Sequence, residues 1–335
     1  MRQRFKLVIL FCLFVLVSGL PVLAQEATEA SAFPVTIEHK FGSTTIPAEL
    51  QRVVAIGYTD QDALLALGVV PVAVRYWYGA AEHAIFPWAE DKAGDAAPAV
   101  LDMAYGNLNY EAILALQPDL IIAVGAGITQ DEYDLLSAIA PTVAQSGDYI
   151  DFGMPWQETT RMIGAAVGQS AEAEAAIERV SGLIAAARAA NPQFAGQTIA
   201  VAYNYGEART YGYYTDQDSR ARFFTDLGFV VPEELLEIAG ERFYADLSAE
   251  RIDLFDQDLL VFLGLQWAEG GSEAIEADPL ISQLEVVQAG RVVFIPAEYD
   301  DALQFSTVLS LEYALAGILP ELQAALPAPE ATDTP

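Results

Sequence analysis

MPWQETTRMIGAAVGQSAEAEAAIERVSGLIAAARAAN, Met154 to Asn191, reads as helix throughout. In its second half Ala173, Ile177, Val180, Ile184 and Ala187 recur at spacings of three and four, which is one apolar stripe, while Glu172, Glu174, Glu178, Arg179 and Arg188 take the other faces. A break at Gly168, with Ser170 as N-cap, divides the stretch into a shorter helix and one of about six turns, roughly 30 Å long. Asn191-Pro192 ends it, because the residue before a proline is pushed out of the helical region. This helix organises the chain because the segments on either side of it are alike.

Ahead of it lies LNYEAILALQPDLII, Leu108 to Ile122, and beyond it LSAERIDLFDQDLLV, Leu247 to Val261. The two align without a gap: Leu108 with Leu247, Glu111 with Glu250, Ile113 with Ile252, Asp119 with Asp258. Each has a polar cap (Asn109 or Ser248), a short amphipathic helix, a turn and a buried strand. Each is preceded by a strand, a helix and a Leu-Gly pair: Arg52-Val-Val-Ala-Ile-Gly57 to Leu67-Gly68, and Gln197-Thr-Ile-Ala-Val-Ala-Tyr203 to Leu227-Gly228. Glu, Ile and Asp kept in one register indicate a duplication, so the reading is two similar lobes joined by one helix.

The first residues read as a secretory signal. Arg2, Arg4 and Lys6 precede an apolar run from Leu7 to Val17, too short to span a bilayer comfortably, and Val22-Leu23-Ala24 ends in the small residue that cleavage requires. Cys12, the only cysteine, lies inside that run after Phe11, not at a lipoprotein cleavage site, so the mature chain is expected to have no disulfide and no thiolate site. Without Arg2, Arg4 and Lys6 the formal charge of −31 becomes −34, with 13 basic against 47 acidic residues. Such a chain is not built to bind nucleic acid or anionic lipid. With 53% apolar residues it is nonetheless globular, and its length suits two domains. The segmentation is a signal over 1–24, a small acidic leader over 25–33, a first lobe over 34–168, the bridging helix over 169–195, a second lobe over 196–326 and a tail over 327–335.

Within the first lobe, Val35 to Ile46 alternates as a hairpin about Gly42. Strands follow at 53–57, 69–74, 120–124 and 142–144, with a helix over Gln130 to Ala138. The second lobe repeats the scheme with strands at 199–203, 259–263 and 292–295 and a last helix over 307–318. The fold class is therefore α/β: two Rossmann-like lobes with mostly parallel sheets, bridged by one long helix, with a cleft between them. Ligands of such sheets bind beyond the carboxyl ends of the strands. Aromatic residues and arginines gather there: Arg75, Tyr76, Trp77 and Tyr78 after the second strand; Tyr203, Tyr205, Arg209 and Tyr213 after the first strand of the second lobe; then Trp267 and Tyr299. With Tyr105 and Arg222 these form the candidate ligand-facing set.

Carried by Arg52 to Val74, NYEAILALQPDLII, SAERIDLFDQDLLV and DPLISQLEVVQAGRVVFIP (Asp278 to Pro296), the chain resembles the periplasmic solute-binding proteins of ABC importers for ferric siderophores. That single-helix-hinge class also includes binders of cobalamin, haem, and zinc or manganese. The resemblance covers roughly residues 34 to 325. It implies a monomer that captures one ligand between its lobes and docks on a permease dimer coupled to an ATPase, with Glu111 and Glu250 meeting permease arginines. Each glutamate is also near a helix N-terminus, where a carboxylate is favoured. Binders of bare zinc or manganese present histidines and carboxylates, and here only His39 and His83 exist. A ferric siderophore supplies its own iron ligands and asks for aromatic surface and a few arginines, so iron is expected only as cargo and no cofactor of the protein is expected. A hydroxamate is favoured by the acidity and the scarcity of arginine, with haem and then cobalamin as alternatives. Trp77, Trp156 and Trp267 are placed at or near the cleft. The chain has no Gly-x-Ser-x-Gly elbow, phosphate-binding lysine loop or His-Glu-x-x-His, so an enzyme is not indicated. A carbohydrate module would use similar aromatics, but on a β-sandwich.

Overall fold

The computed structural model describes residues 32–79, 82–204 and 211–328. The signal sequence, most of the leader, the end of the tail, and Tyr205 and Arg209 of the candidate set lie outside the described residues.

The alternation over Val35 to Ile46 forms a separate antiparallel hairpin, β1 (Val35–His39) and β2 (Gly42–Ile46), whose inward residues Ile37 and Ile46 are buried. The first lobe is built on β3 (Val53–Ala55), β4 (Ala73–Arg75), β5 (Ala99–Leu101), β6 (Leu120–Ala123) and β7 (Thr142–Ala144). They run parallel in the order β5-β4-β3-β6-β7. The second lobe is built on β8 (Ile199–Tyr203), β9 (Tyr211–Tyr214), β10 (Tyr244–Leu247), β11 (Leu259–Leu263) and β12 (Val292–Phe294), ordered β10-β9-β8-β11-β12. There β8, β11 and β12 are parallel, and β9 is antiparallel to both of its neighbours. Continuous apolar strands such as Leu259–Leu263 are buried on both faces, as helix-covered sheets require.

The central stretch folds as two helices, Trp156–Ala166 and Ser170–Ala190. Gly168 makes the break with φ 73°, and Gly164 lets the two helices approach: a methyl group there would lie 2.4 Å from the Ala173 side chain. The stripe is shared between two cores. Ala173 packs with Val53, Leu64 and Ile163 of the first lobe, while Ile177, Val180, Ile184 and Ala187 pack with the second lobe's Ile199, Phe223 and Leu311. Ser170 is the first helical residue and not the cap; Gln169 precedes it and makes no side-chain capping bond.

The duplicated register survives in hydrogen bonds. Asp119, before β6, accepts from the backbone N–H groups of Gln51 (2.6 Å) and Arg52 (2.9 Å) just ahead of β3. Asp258, before β11, accepts from the Thr198 N–H (2.8 Å) just ahead of β8. Each aspartate thus pins the start of its lobe's central strand pair. The preceding segments differ, an α-helix over Tyr110–Ala115 capped by Asn109 (3.0 Å to the Ala112 N–H) and a 3-10 helix over Ala249–Phe255 with no side-chain cap from Ser248.

Several boundaries differ from the sequence expectation. The second strand is Ala73–Arg75, not 69–74: Gly68 ends the preceding helix in a left-handed turn, the Val69 N–H folds back onto the Leu64 carbonyl, and Pro71 delays pairing. Tyr211–Tyr214 is a strand and not a loop, because its four residues are all buried between β8 and β10. The last helix is Ser310–Ala325, and Thr307 lies before it.

Candidate functional site

Between the lobes lies a cavity of about 430 Å³, within the ordinary range for small-molecule sites. Its first-lobe wall is aromatic. Tyr58 follows β3, Trp77 follows β4, Tyr105 follows β5, and Phe152, Met154 and Trp156 lead into the central stretch. Ring centroids step from Phe152 to Tyr58 (6.3 Å), to Trp77 (5.6 Å) and to Phe305 of the second lobe (5.4 Å). Such spacings are those of offset or tilted aromatic pairs. Tyr105 is 59% exposed at the mouth, 5.9 Å from Phe152. Phe152 has φ 63°, a region a bulky residue seldom enters. Its neighbours hold it there: Asp151 pairs with Lys40 (2.6 Å), and the Gly153 carbonyl accepts from Arg222 Nη2 (2.9 Å).

The second-lobe wall is polar: Asp218, Ser219, Arg220, Gln304, Ser306 and Thr307, with Phe243 and Phe305 between them. Arg220 donates to both carboxylate oxygens of Asp218 (Nε 2.7 Å, Nη2 2.6 Å), and Nη1 donates to Gln304 Oε1 (2.6 Å). Its guanidinium stacks 3.8 Å above the Tyr214 ring. Gln304 in turn donates to Asp300, which also accepts from the Gly264 N–H (2.8 Å). The tyrosine, the glutamine and the carboxylates leave Arg220 one orientation.

Three buried carboxylates stand behind these walls. Asp60 accepts from the Gly125 N–H (2.8 Å). A single oxygen of Asp62, Oδ2, accepts from Trp88 Nε1 (2.7 Å) and from the Thr307 hydroxyl (2.6 Å), so it bonds one lobe to the other. Desolvation pushes Asp60, Asp62 and Asp300 up to about 6.

Of the candidate set, the cavity brings together Trp77 and Tyr105. Arg75 is 1% exposed and faces the protein: its guanidinium donates to the carbonyls of Met103 (2.8 Å) and Ala104 (2.7 Å) and lies 4.2 Å under the Tyr58 ring. It supports the aromatic wall from behind. Tyr76 donates to the Gly79 carbonyl (2.8 Å). Tyr78 and Trp267 meet edge to face (5.3 Å) beside the cavity, joining the lobes. Tyr203 and Tyr213 are buried in the second sheet, where Tyr213 donates to the Leu235 carbonyl (2.6 Å). Tyr299 packs on Tyr313 and against Gly317 of the last helix. Arg222 is turned to the carbonyls of Asp216, Gln217 and Gly153. Residues two apart on a helix face opposite sides, so Arg220, and not Arg222, reaches the cleft. Tyr58, Phe152 and Arg220 were missed; the strand-end rule applied to β3 points to Tyr58, and the Asp218 cap points to Arg220.

Glu111 and Glu250 are both exposed, each in the first turn of its short helix. Among the described residues no helix is long and apolar enough to cross a membrane.

The profile of the periplasmic binding protein family matches residues 53–299. The probable siderophore-binding lipoprotein YfiY of Bacillus subtilis is 30% identical over 236 residues, covering 68% of each chain. The ferric enterobactin-binding periplasmic protein FepB of Escherichia coli is 25% identical over 317 residues, covering 84% of this chain and 90% of that one. The crystal structure of PiaA from Streptococcus pneumoniae in complex with ferrichrome superposes with a TM-score of 0.74 at 29% identity, covering 87% of this chain and 98% of that one.

Proposed function

We propose, from the premise that this chain belongs to the periplasmic binding protein family, that it captures one ferric siderophore between its lobes and delivers it to the permease of an ABC importer. The observation that carries this reading is the cavity, with stacked rings on one wall and, among the described residues, one fixed arginine on the other. An iron complex wrapped in an organic shell offers apolar edges to the rings and carbonyl oxygens to the guanidinium. Relatives with siderophores in their names support the class. They differ in the siderophore they name, so the choice within the class rests on the cleft. A ferric trihydroxamate is uncharged, a ferric tricatecholate trianionic, and one arginine among the described lining residues is a poor host for the second.

Glu111 and Glu250 are the docking residues in this reading, and the signal sequence delivers the chain across the inner membrane. Titration of tryptophan fluorescence with ferric hydroxamate, catecholate and carboxylate siderophores and with haem tests the ligand. Trp77 and Trp156 line the cavity, so a ferric hydroxamate is expected to quench them. A response to free Zn²⁺ or Mn²⁺ with none to any iron complex would overturn the assignment.

A further inference from the structure

We propose that the hairpin of β1 and β2 belongs to the frame of the binding site, and that Lys40 at its turn is the positioning residue that holds Phe152 against the cavity. The proposal rests on the siderophore reading and extends it to a residue outside the cavity lining. Phe152 needs such a hold. It keeps a φ of 63° that a bulky residue seldom adopts, and it is 42% exposed, so burial alone does not fix its ring. The ring lies on Gly127, where an added methyl group would be 2.5 Å from Phe152 Cζ, and its neighbours are Tyr58 at 6.3 Å and Tyr105 at 5.9 Å between centroids.

The segment between β7 and the helix Trp156–Ala166 is gripped at two points by one residue. The Lys40 N–H donates to the Gln145 carbonyl (3.0 Å), and Lys40 Nζ donates to Asp151 Oδ1 (2.6 Å), next to Phe152. Gln145 lines the cavity, and its side chain closes the segment on itself by donating to the Tyr149 carbonyl (3.1 Å). Lys40 in turn stands on a fixed base. His39 Nε2 and the Thr44 hydroxyl are 2.9 Å apart, that hydroxyl donates to the Thr142 carbonyl of β7 (2.6 Å), and Phe41 stacks on Tyr133 of the helix Gln130–Ser137 (5.1 Å). The hairpin is thus fastened to the first lobe, while Arg222 holds the other flank of Phe152 at the Gly153 carbonyl (2.9 Å). Without the ammonium, Asp151 is released and Phe152 relaxes toward a negative φ, which carries the ring off Gly127. The ion pair is partly exposed, its side chains 25% and 40% accessible, so its hold is modest and screened by salt.

The test pairs a ligand-free signal with a titration. Para-fluorophenylalanine introduced at position 152 of the mature chain reports the ring through its fluorine NMR line, which the neighbouring tyrosine rings shift. Lys40→Met, which keeps the apolar stem, should move or broaden that line, and Lys40→Arg should restore it. Asp151→Asn should repeat the effect from the other partner, which keeps the test open should the Lys40 variant fold poorly. In tryptophan-fluorescence titrations with ferrichrome and with ferric enterobactin, Lys40→Met should weaken whichever complex wild type binds by about three- to fivefold, the scale of an exposed ion pair. High salt should bring wild type toward Lys40→Met. Phe152→Ala should weaken binding about tenfold, and adding Lys40→Met to it should cost nothing more, because the ring that Lys40 holds is gone. Arg179→Met, which breaks the similarly exposed pair between the spine helix and Glu312, should leave both the line and the affinity unmoved. A line that Lys40→Met does not move, or losses that add in the double variant, overturns the proposal. A shifted line with full affinity for a complex that wild type binds overturns it as well. If neither complex binds wild type, the siderophore reading falls by itself, and the line still decides whether Lys40 holds the ring.

Discussion

The two lobes share one construction and face each other with opposite chemistry. In the first, the residues after β3, β4 and β5 deliver Tyr58, Trp77 and Tyr105 to the cleft. In the second, β9 runs antiparallel beside β8, and its Tyr211, Tyr213 and Tyr214 are buried in the sheet. Among the described residues its cleft wall is made by the N-terminus of the helix Ser219–Asp226 and by the segment from Gln304 to Thr307. Two walls of one pocket can therefore diverge through the reversal of a single strand, while the Asp119 and Asp258 pins keep the two frames alike.

The largest expected effect sets the two kinds of aromatic against each other. Tyr213→Ala should cost about 3 to 5 kcal/mol of stability, the usual range for emptying a large buried aromatic site. Tyr213 is 0% exposed and its hydroxyl holds the Leu235 carbonyl, so its loss leaves both a cavity and an unpaired acceptor. Denaturant unfolding gives the cost. A loss below about 1 kcal/mol, accompanied by abolished ligand binding, would return this tyrosine to the cleft and end the contrast between the walls.

Next in size is the bond that ties the walls together. Asp62 goes from 3.8 when unfolded to about 6 when folded, so the folded state holds its proton more tightly. Its contribution therefore favours folding below 3.8 and declines as pH rises through the window to about 6, above which it is constant. One oxygen accepts both hydrogen bonds, and the oxygen of an asparagine can do the same. Asp62→Asn should remove a pH-dependent loss of up to about 3 kcal/mol between pH 4 and 7, while wild type keeps it. Identical slopes for the two proteins would show that Asp62 does not titrate in this window.

How much of this was legible depends on what each residue type announces. The spine helix, the lobes and the paired aspartates are written in periodicity and register, which a sequence displays directly. The Glu132 capping box after Thr129 is equally visible and starts its helix at Gln130. Side-chain direction is not visible in that way. Tyr203, Tyr213 and Tyr214 look the same as Tyr58 in a string of letters, and only the antiparallel return of β9 decides that they are core. Arg75 shows the same gap: an arginine at a strand end suits a ligand, yet its guanidinium donates to the carbonyls of Met103 and Ala104. Arg220 and its neighbour but one, Arg222, look alike in the sequence, and only the phase of the helix separates them.

Trp77→Ala probes the aromatic wall itself. The ring is half-buried, lines the cavity and touches Tyr58, Tyr78 and Phe305. Losing one stacking surface should weaken siderophore binding by about 1 to 2 kcal/mol, roughly tenfold, and should cost less stability than Tyr213→Ala does. Titration and melting of the one variant give both numbers. Unchanged affinity in a destabilised protein would make Trp77 a core residue and leave the first-lobe wall without its centre.

The smallest effects on the isolated protein belong to the two exposed glutamates that the lobes keep in common. Glu111 and Glu250 are exposed in the first turns of their short helices, where a carboxylate gains only a modest interaction with the helix dipole. Changing either to Ala should shift stability and siderophore affinity by no more than about 0.5 kcal/mol, as surface changes do. Under the proposed docking role uptake should respond far more strongly, because a carboxylate held against a permease arginine would be partly desolvated, and truncating one member of such a pair costs about 2 to 5 kcal/mol. Reversal to Arg should be worse than truncation, since it sets like charges together at both docking points. The contrast between lobes enters here as well. Glu111 stands on an α-helix with a capped end and Glu250 on a 3-10 helix without one, so Glu111 is held in the firmer frame and its single variant should reduce uptake the more. Ligand titration beside iron uptake, in cells whose only binding protein is each single or double variant, measures all of this. Normal uptake with the double variant would reject the docking role, and lost ligand affinity would move both residues into the cleft.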